Sequence, residues 1–82
     1  MLQKQTVPLT DIRVPKQRAK TLDPDKRDTL GEDILEQGMT TPIQVRTDGA
    51  GFVLVEGLHR LEAMRALGET EIEAYLVRAR LH

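Results

Sequence analysis

The stretch Phe52-Val53-Leu54-Val55-Glu56-Gly57-Leu58-His59-Arg60-Leu61 decides the fold. Its first four residues are apolar on both alternating faces, the pattern of a central strand covered on each side. Gly57 breaks that strand. A helical run follows from Leu58 to Leu67 and is closed by Gly68, a residue suited to a helix C-terminus. A glycine between a buried strand and a helix lets the backbone approach a ligand closely. The free N–H groups of the first helical turn, at the positive end of the helix dipole, then suit an anion. His59 and Arg60 fall in that turn and offer further donors. At about 100° per residue, Arg60 points between Leu61/Met64 and Leu67, towards the core, where a guanidinium needs an anionic partner. Two readings stand side by side: a phosphate-bearing ligand, or a structural ion pair with Glu56 or another acid and a merely superficial His59.

Working outward, Asp48-Gly49-Ala50-Gly51 is a turn, preceded by a strand from Pro42 to Arg46 with Ile43 and Val45 on one face and Gln44 and Arg46 on the other. Asp23-Pro24 places an acidic N-cap before proline at the first helical position, so a helix is predicted to about Gln37, stopped by Gly38. Leu30, Ile34 and Leu35 form its apolar face, with Gly31 between them to allow close packing. Lys26, Thr29 and Asp33, at i, i+3 and i+7, form a polar stripe beside it. Lys26 lies in the first turn, where the dipole disfavours a cation unless an anion is near. Val7 to Ile12 reads as a strand that Pro8 pushes towards a sheet edge. Residues 13–22 carry Arg13, Lys16, Arg18 and Lys20 with no acid, and Pro15 argues against a helix there. Arg18 is the residue of that segment placed in the site. Ile72 to Val77 makes a last strand. The order is β-α-β-β-α-β, a small α/β (α+β) domain. Residues 1–82 form one domain with its core at about 7–77.

Composition narrows the function. The chain has 82 residues, 12 basic and 13 acidic side chains and a net charge of −1. That balance removes the global electrostatic case for non-specific DNA binding. Its apolar residues are aliphatic, with eleven Leu, six Val and four Ile against one Phe and one Tyr, too few rings for a base-stacking single-strand binder. With no cysteine there is no disulfide, thiolate zinc site or cysteine nucleophile. Two histidines, one of them the last residue, do not make a metal site. No apolar run approaches the ~18–20 residues of a membrane span, and the N-terminus lacks the pattern of a signal peptide. The expectation is a soluble cytoplasmic protein without a membrane partner.

These motifs carry a resemblance. Pro8-Leu9-Thr10-Asp11-Ile12, the run Gly38-Met39-Thr40-Thr41-Pro42-Ile43-Gln44-Val45-Arg46, and Phe52 to Gly57 followed by Leu58-His59-Arg60-Leu61-Glu62-Ala63 occur in the order seen in the ParB/sulfiredoxin superfamily. The chain resembles its ParB N-terminal domain from about Val7 to Val77. Leu22-Asp23-Pro24-Asp25-Lys26-Arg27-Asp28-Thr29 is similar to the sulfiredoxin run Leu-Asp-Pro-x-Lys-x-x-Ser/Thr, which implies phosphate-binding roles for Lys26 and Thr29. Gly57-Leu58-His59-Arg60 resembles the sulfiredoxin Gly-Cys-His-Arg signature with leucine where the reacting cysteine stands. Leucine cannot attack or accept a phosphoryl group, so sulfinic acid reduction is excluded. The ParB branch has Gly-Glu-Arg-Arg here and uses it to bind CTP as a clamp switch. Asp33 departs from the hydroxyl residue of sulfiredoxins, and its carboxylate repels phosphate unless Mg²⁺ bridges them.

What the resemblance implies is a nucleotide-binding ParB-like domain acting as a regulatory or DNA-segregation module. CTP or ATP (or ADP), with Mg²⁺ as an accompanying ion, would have its phosphates on Gly57, Leu58, His59, Arg60, Lys26 and Thr29. Base and ribose would lie near Arg18–Thr21 and Thr40–Thr41–Pro42. The expected partners are nucleotide, DNA or a DNA-bound protein, and a second copy of the chain. A different class of function rests on the similarity of Glu56-Gly57-Leu58-His59-Arg60 to the Asp-Gly-His-His-Arg signature of free-serine kinases: a small phosphotransferase with Glu56 as base. A third is a degenerate DNA- or protein-interaction module, with the basic Arg13–Lys20 segment as its footprint.

Overall fold

The computed structural model describes residues 3–38 and 41–78. Five strands form one mixed sheet: β1 (Gln3–Pro8), β2 (Ile12–Arg13), β3 (Ile43–Asp48), β4 (Gly51–Glu56) and β5 (Glu71–Leu76), in the spatial order β1-β5-β3-β4-β2. Among the described residues three α-helices accompany it: α1 (Lys16–Ala19), α2 (Pro24–Gln37) and α3 (Leu58–Ala66). β1 and β5 are antiparallel, β5 and β3 parallel, β3 and β4 antiparallel, and β4 and β2 parallel. Predicted and observed bounds of α2, α3, β3, β4 and β5 agree within two residues.

The single strand expected over Val7–Ile12 is two strands on opposite edges of the sheet. β1 ends at Pro8, a one-turn 3₁₀ helix occupies Leu9–Asp11, and β2 begins at Ile12 beside Phe52. Proline ends the ladder, because it has no N–H to donate to it. Four chain steps from Pro8 to Ile12 reach at most about 14 Å, whereas the edges of a flat five-stranded sheet lie about 19 Å apart. The sheet is therefore strongly coiled, bringing its edges together around the core. The Leu9 N–H donates to the Thr70 carbonyl at 2.9 Å and closes one side of this crossing.

Val53 and Leu54 are adjacent in β4 and each 2% exposed, so this strand is covered on both faces, as its unbroken apolar run requires. Val7, Leu9, Ile12, Ile43, Val45, Leu54, Leu58, Leu61, Ile72 and Ala74 form the main core. Leu58, Leu61 and Ala63 seat α3 in the structure, and α2 packs against α3.

Three further expectations are corrected. Residues 16–19 are helical despite Pro15, because proline there is the N-cap, where its missing N–H is not needed while its carbonyl still accepts from the Ala19 N–H at 3.0 Å. Leu35 is 73% exposed and does not share the apolar face with the half-buried Leu30 and Ile34. Gly31 is buried, yet a Cβ built on it meets nothing within 4 Å, so close packing does not demand glycine at this point.

Candidate functional site

The start of α3 is set by a glycine with two reasons to be one. Gly57 has φ +108°, and an ideal Cβ there would lie 2.6 Å from Cγ2 of Ile43. The turn out of β4 thus passes directly over the core strand β3. Within α3 the Leu61 N–H donates to the Gly57 carbonyl at 2.9 Å. The N–H groups of Leu58, His59 and Arg60 precede that bond and have no intrahelical acceptor. Glycine at the N-cap supplies no side-chain acceptor either. Three donors and the positive end of the dipole are therefore presented at this point.

α2 begins differently. Oδ1 of Asp23 accepts from the N–H of Asp25 at 2.9 Å and of Lys26 at 3.4 Å, and Pro24 removes a third donor. Its N-terminus is already capped by a carboxylate. The two helix starts are joined by the Asp23 N–H, which donates to Nε2 of His59 at 3.0 Å. Nε2 acts as the acceptor in this arrangement, which leaves Nδ1 as the ring nitrogen able to donate.

Around this junction lies an open cleft of about 750 Å³. α3 contributes Leu58, His59 and Arg60, and the end of β4 contributes Glu56 and Gly57. α2 and its cap contribute Asp23, Asp25, Lys26, Thr29 and Leu30, and α1 with the turn after it closes the cleft with Arg18 and Thr21. Arg18, Lys26, Thr29, Glu56, Gly57, Leu58, His59 and Arg60, drawn from three separated stretches of sequence, thus share one cleft. Thr41 is exposed and does not line it, and neither does Asp33. Thr40 lies outside the described residues.

Charge in the cleft is mixed. Nη2 of Arg18 pairs with Oε2 of Glu56 at 3.2 Å, so the acid suggested as a partner for Arg60 is engaged elsewhere. Arg60 is half-buried in the cleft wall and does not enter the core; no charged side chain among the described residues is fully buried. Neither Lys26 nor Arg60 has an ion-pair partner among the described residues. In the basic segment, Arg13 pairs with Asp48 at 2.9 Å and Arg18 with Glu56, leaving Lys16 and Lys20 exposed. Half of the positive charge suggested for a DNA contact is thus neutralised within the fold. Among the described residues no three His, Cys, Asp or Glu side chains gather as a metal site requires.

Sequence reasoning missed two contacts, the Arg18–Glu56 pair and the bond from Asp23 to His59. Both join residues more than 35 positions apart, and no spacing rule relates them.

The comparisons with known proteins converge on this architecture. A family model, the ParB N-terminal domain, matches residues 2–81. A probable chromosome-partitioning protein ParB of Campylobacter jejuni is 39% identical over 62 residues, covering 76% of this chain and 22% of that protein. The chain thus spans about a fifth of the length of that curated relative. Among solved structures, sulfiredoxin from Arabidopsis thaliana superposes with a TM-score of 0.83 at 28% identity, over 94% of this chain and 86% of that one. C-terminally truncated ParB from Caulobacter crescentus, complexed with CTP-gamma-S, has a TM-score of 0.81 at 21% identity, over 95% of this chain and 46% of that one. A free serine kinase in complex with AMP has a TM-score of 0.77 at 14% identity, over 90% and 30% of the two chains. These last two likenesses establish the fold alone. By the family match across nearly its whole length, the chain belongs to the ParB N-terminal domain family.

Proposed function

We propose that the cleft binds a nucleoside triphosphate and that the chain is the nucleotide-responsive module of a ParB-type DNA-segregation protein. One observation carries the reading: an uncapped helix N-terminus opens into the same cleft as Lys26 and Arg60, two cations without ion-pair partners among the described residues. Phosphate oxygens accept from the N–H groups of Leu58, His59 and Arg60. The Arg60 guanidinium, the Nδ1–H of His59, the Lys26 ammonium and the Thr29 hydroxyl supply further donors. Ribose and base lie towards Arg18 and Thr21. The Caulobacter crescentus and free serine kinase complexes, which share the fold and hold CTP-gamma-S and AMP, support a nucleotide as the ligand class. CTP, ATP and ADP are the candidates, with Mg²⁺ carried on the phosphates.

Calorimetry with each nucleotide, with and without Mg²⁺, tests this on wild type and Arg60→Ala. Micromolar binding of one nucleotide is expected. Loss of Arg60 should weaken it about ten- to hundredfold, the equivalent of one hydrogen bond to a charged group. No heat at millimolar concentration would sink the proposal. A second reading, phosphoryl transfer with Glu56 as base, is supported by that carboxylate standing in the same cleft. Its test is product formation that disappears in Glu56→Gln.

A further inference from the structure

Glu56 is the last residue of β4, one position before the N-cap of α3. Its carboxylate lies in the cleft at the positive end of that helix and bonds Arg18 at 3.2 Å. One negative group thus stands bonded to a guanidinium and next to a helix N-terminus, the same two kinds of partner that a ligand phosphate would seek there.

The element that carries Arg18 lies at the surface and is lightly held. α1 has no buried residue, and the segment is held at its ends by the half-buried Val14 and Leu22. Between them the hydrogen bonds are local: Ala19 N–H to the Pro15 carbonyl, Lys20 N–H to Lys16, and Thr21 N–H and Oγ1–H both to Arg18. Among the described residues, the Arg18–Glu56 bond is the hydrogen bond that ties residues 15–21 to another element. With side chains 39% and 64% exposed, the pair is weak enough to exchange partners, since exposed ion pairs contribute about 0–1 kcal/mol.

Resting on the nucleotide reading above, we infer that Glu56 is an internal competitor for the ligand's phosphates. In the ligand-free chain it holds Arg18 and occupies the field of the α3 terminus. An entering polyphosphate takes Arg18 over, repels the carboxylate, and draws residues 15–21 onto itself. Glu56 therefore lowers affinity and makes the position of the α1 segment depend on whether the cleft is filled.

The test is nucleotide binding by calorimetry to wild type, Glu56→Gln, Arg18→Ala and the double variant, with amide hydrogen exchange of residues 16–20 in the ligand-free chains. Glu56→Gln should bind about two- to fivefold more tightly, the range an exposed pair supplies, and exchange faster over residues 16–20. Arg18→Ala should bind more weakly, and the gain from Glu56→Gln should shrink in its presence, the signature of coupled residues. Unchanged or weaker binding by Glu56→Gln overturns the competitor role, while loss of binding in Arg60→Ala would still uphold the nucleotide site. Binding by Glu56→Gln but not by wild type supports it. Absence of binding by both ends this inference and the nucleotide reading together.

Discussion

Gly57 is the residue on which the site depends most, because two unrelated constraints meet there. Its φ of +108° lies where L side chains are strained, and its missing Cβ leaves room for Ile43. Gly57→Ala is expected to destabilise the domain by at least about 2 kcal/mol, combining backbone strain with overpacking against a core strand. Chemical denaturation measures it, and a change below about 0.5 kcal/mol would contradict the geometry, since that is the scale of unremarkable surface substitutions. Leu58 shows the opposite division of labour. It stands where the sulfiredoxin signature has its reacting cysteine, and here it is 4% exposed and part of the core. Its side chain serves packing, while its backbone N–H is among the uncapped donors at the start of α3.

At the scale of elements, α2 and α3 differ in how their N-termini are satisfied, and the proposed nucleotide site rests on that difference. Asp23 caps α2, so an anion is welcome at α3 and opposed by a carboxylate at α2. The bond from Asp23 N–H to His59 fixes the two starts side by side, which brings Lys26 and Thr29 to the cleft without using the α2 terminus as a phosphate cradle. The middle of α2 carries slack. Glycine costs a helix interior about 1 kcal/mol relative to alanine, and a Cβ at Gly31 has open space around it. Gly31→Ala should stabilise the domain by about 0.5–1 kcal/mol, read as a raised melting temperature. A lowered one would mean that α2 and α3 pack more tightly than the described geometry allows.

At the scale of the whole molecule, the coiled sheet is held at one edge by a contact between distant parts of the chain. Arg13 of β2 pairs with Asp48 at the end of β3, tying the short edge strand to the β3–β4 hairpin. The Arg13 guanidinium, through its hydrogen bond and its charge, holds the Asp48 carboxyl below the ordinary carboxylate range, with a smaller contribution from Arg46. A depressed acid contributes stability that is present above its unfolded value of about 3.9 and is lost as pH falls through its folded one. Denaturation midpoints of wild type should therefore fall more steeply than those of Asp48→Asn as pH is lowered below about 4. Parallel curves would show that the pair contributes nothing to the fold. No helix among the described residues is long and apolar enough to cross a membrane.

The sequence by itself determined the elements whose signals are local. Asp23-Pro24 announced α2, Gly57 and Gly68 bracketed α3, and the apolar run Phe52–Val55 identified the covered strand. The ordered motifs pointed to the superfamily, and Lys26, Thr29, Arg18 and the Gly57–Arg60 turn were legible as companions. Tertiary structure decided that Val7–Ile12 divides between opposite edges of the sheet: Pro8 marks where the first ladder ends, but only long-range pairing sends Ile12 to Phe52 on the other edge. It also decided partner choice within the cleft. Glu56 is near Arg60 in sequence, yet it pairs with Arg18, 38 positions away. Thr41, in the run that precedes β3, ends outside the cleft. Helix caps and glycine turns are set by neighbours within a few residues, so they can be read along the chain. Ion pairing and strand order depend on how a coiled sheet brings remote segments together, and that closure is a property of the folded chain alone.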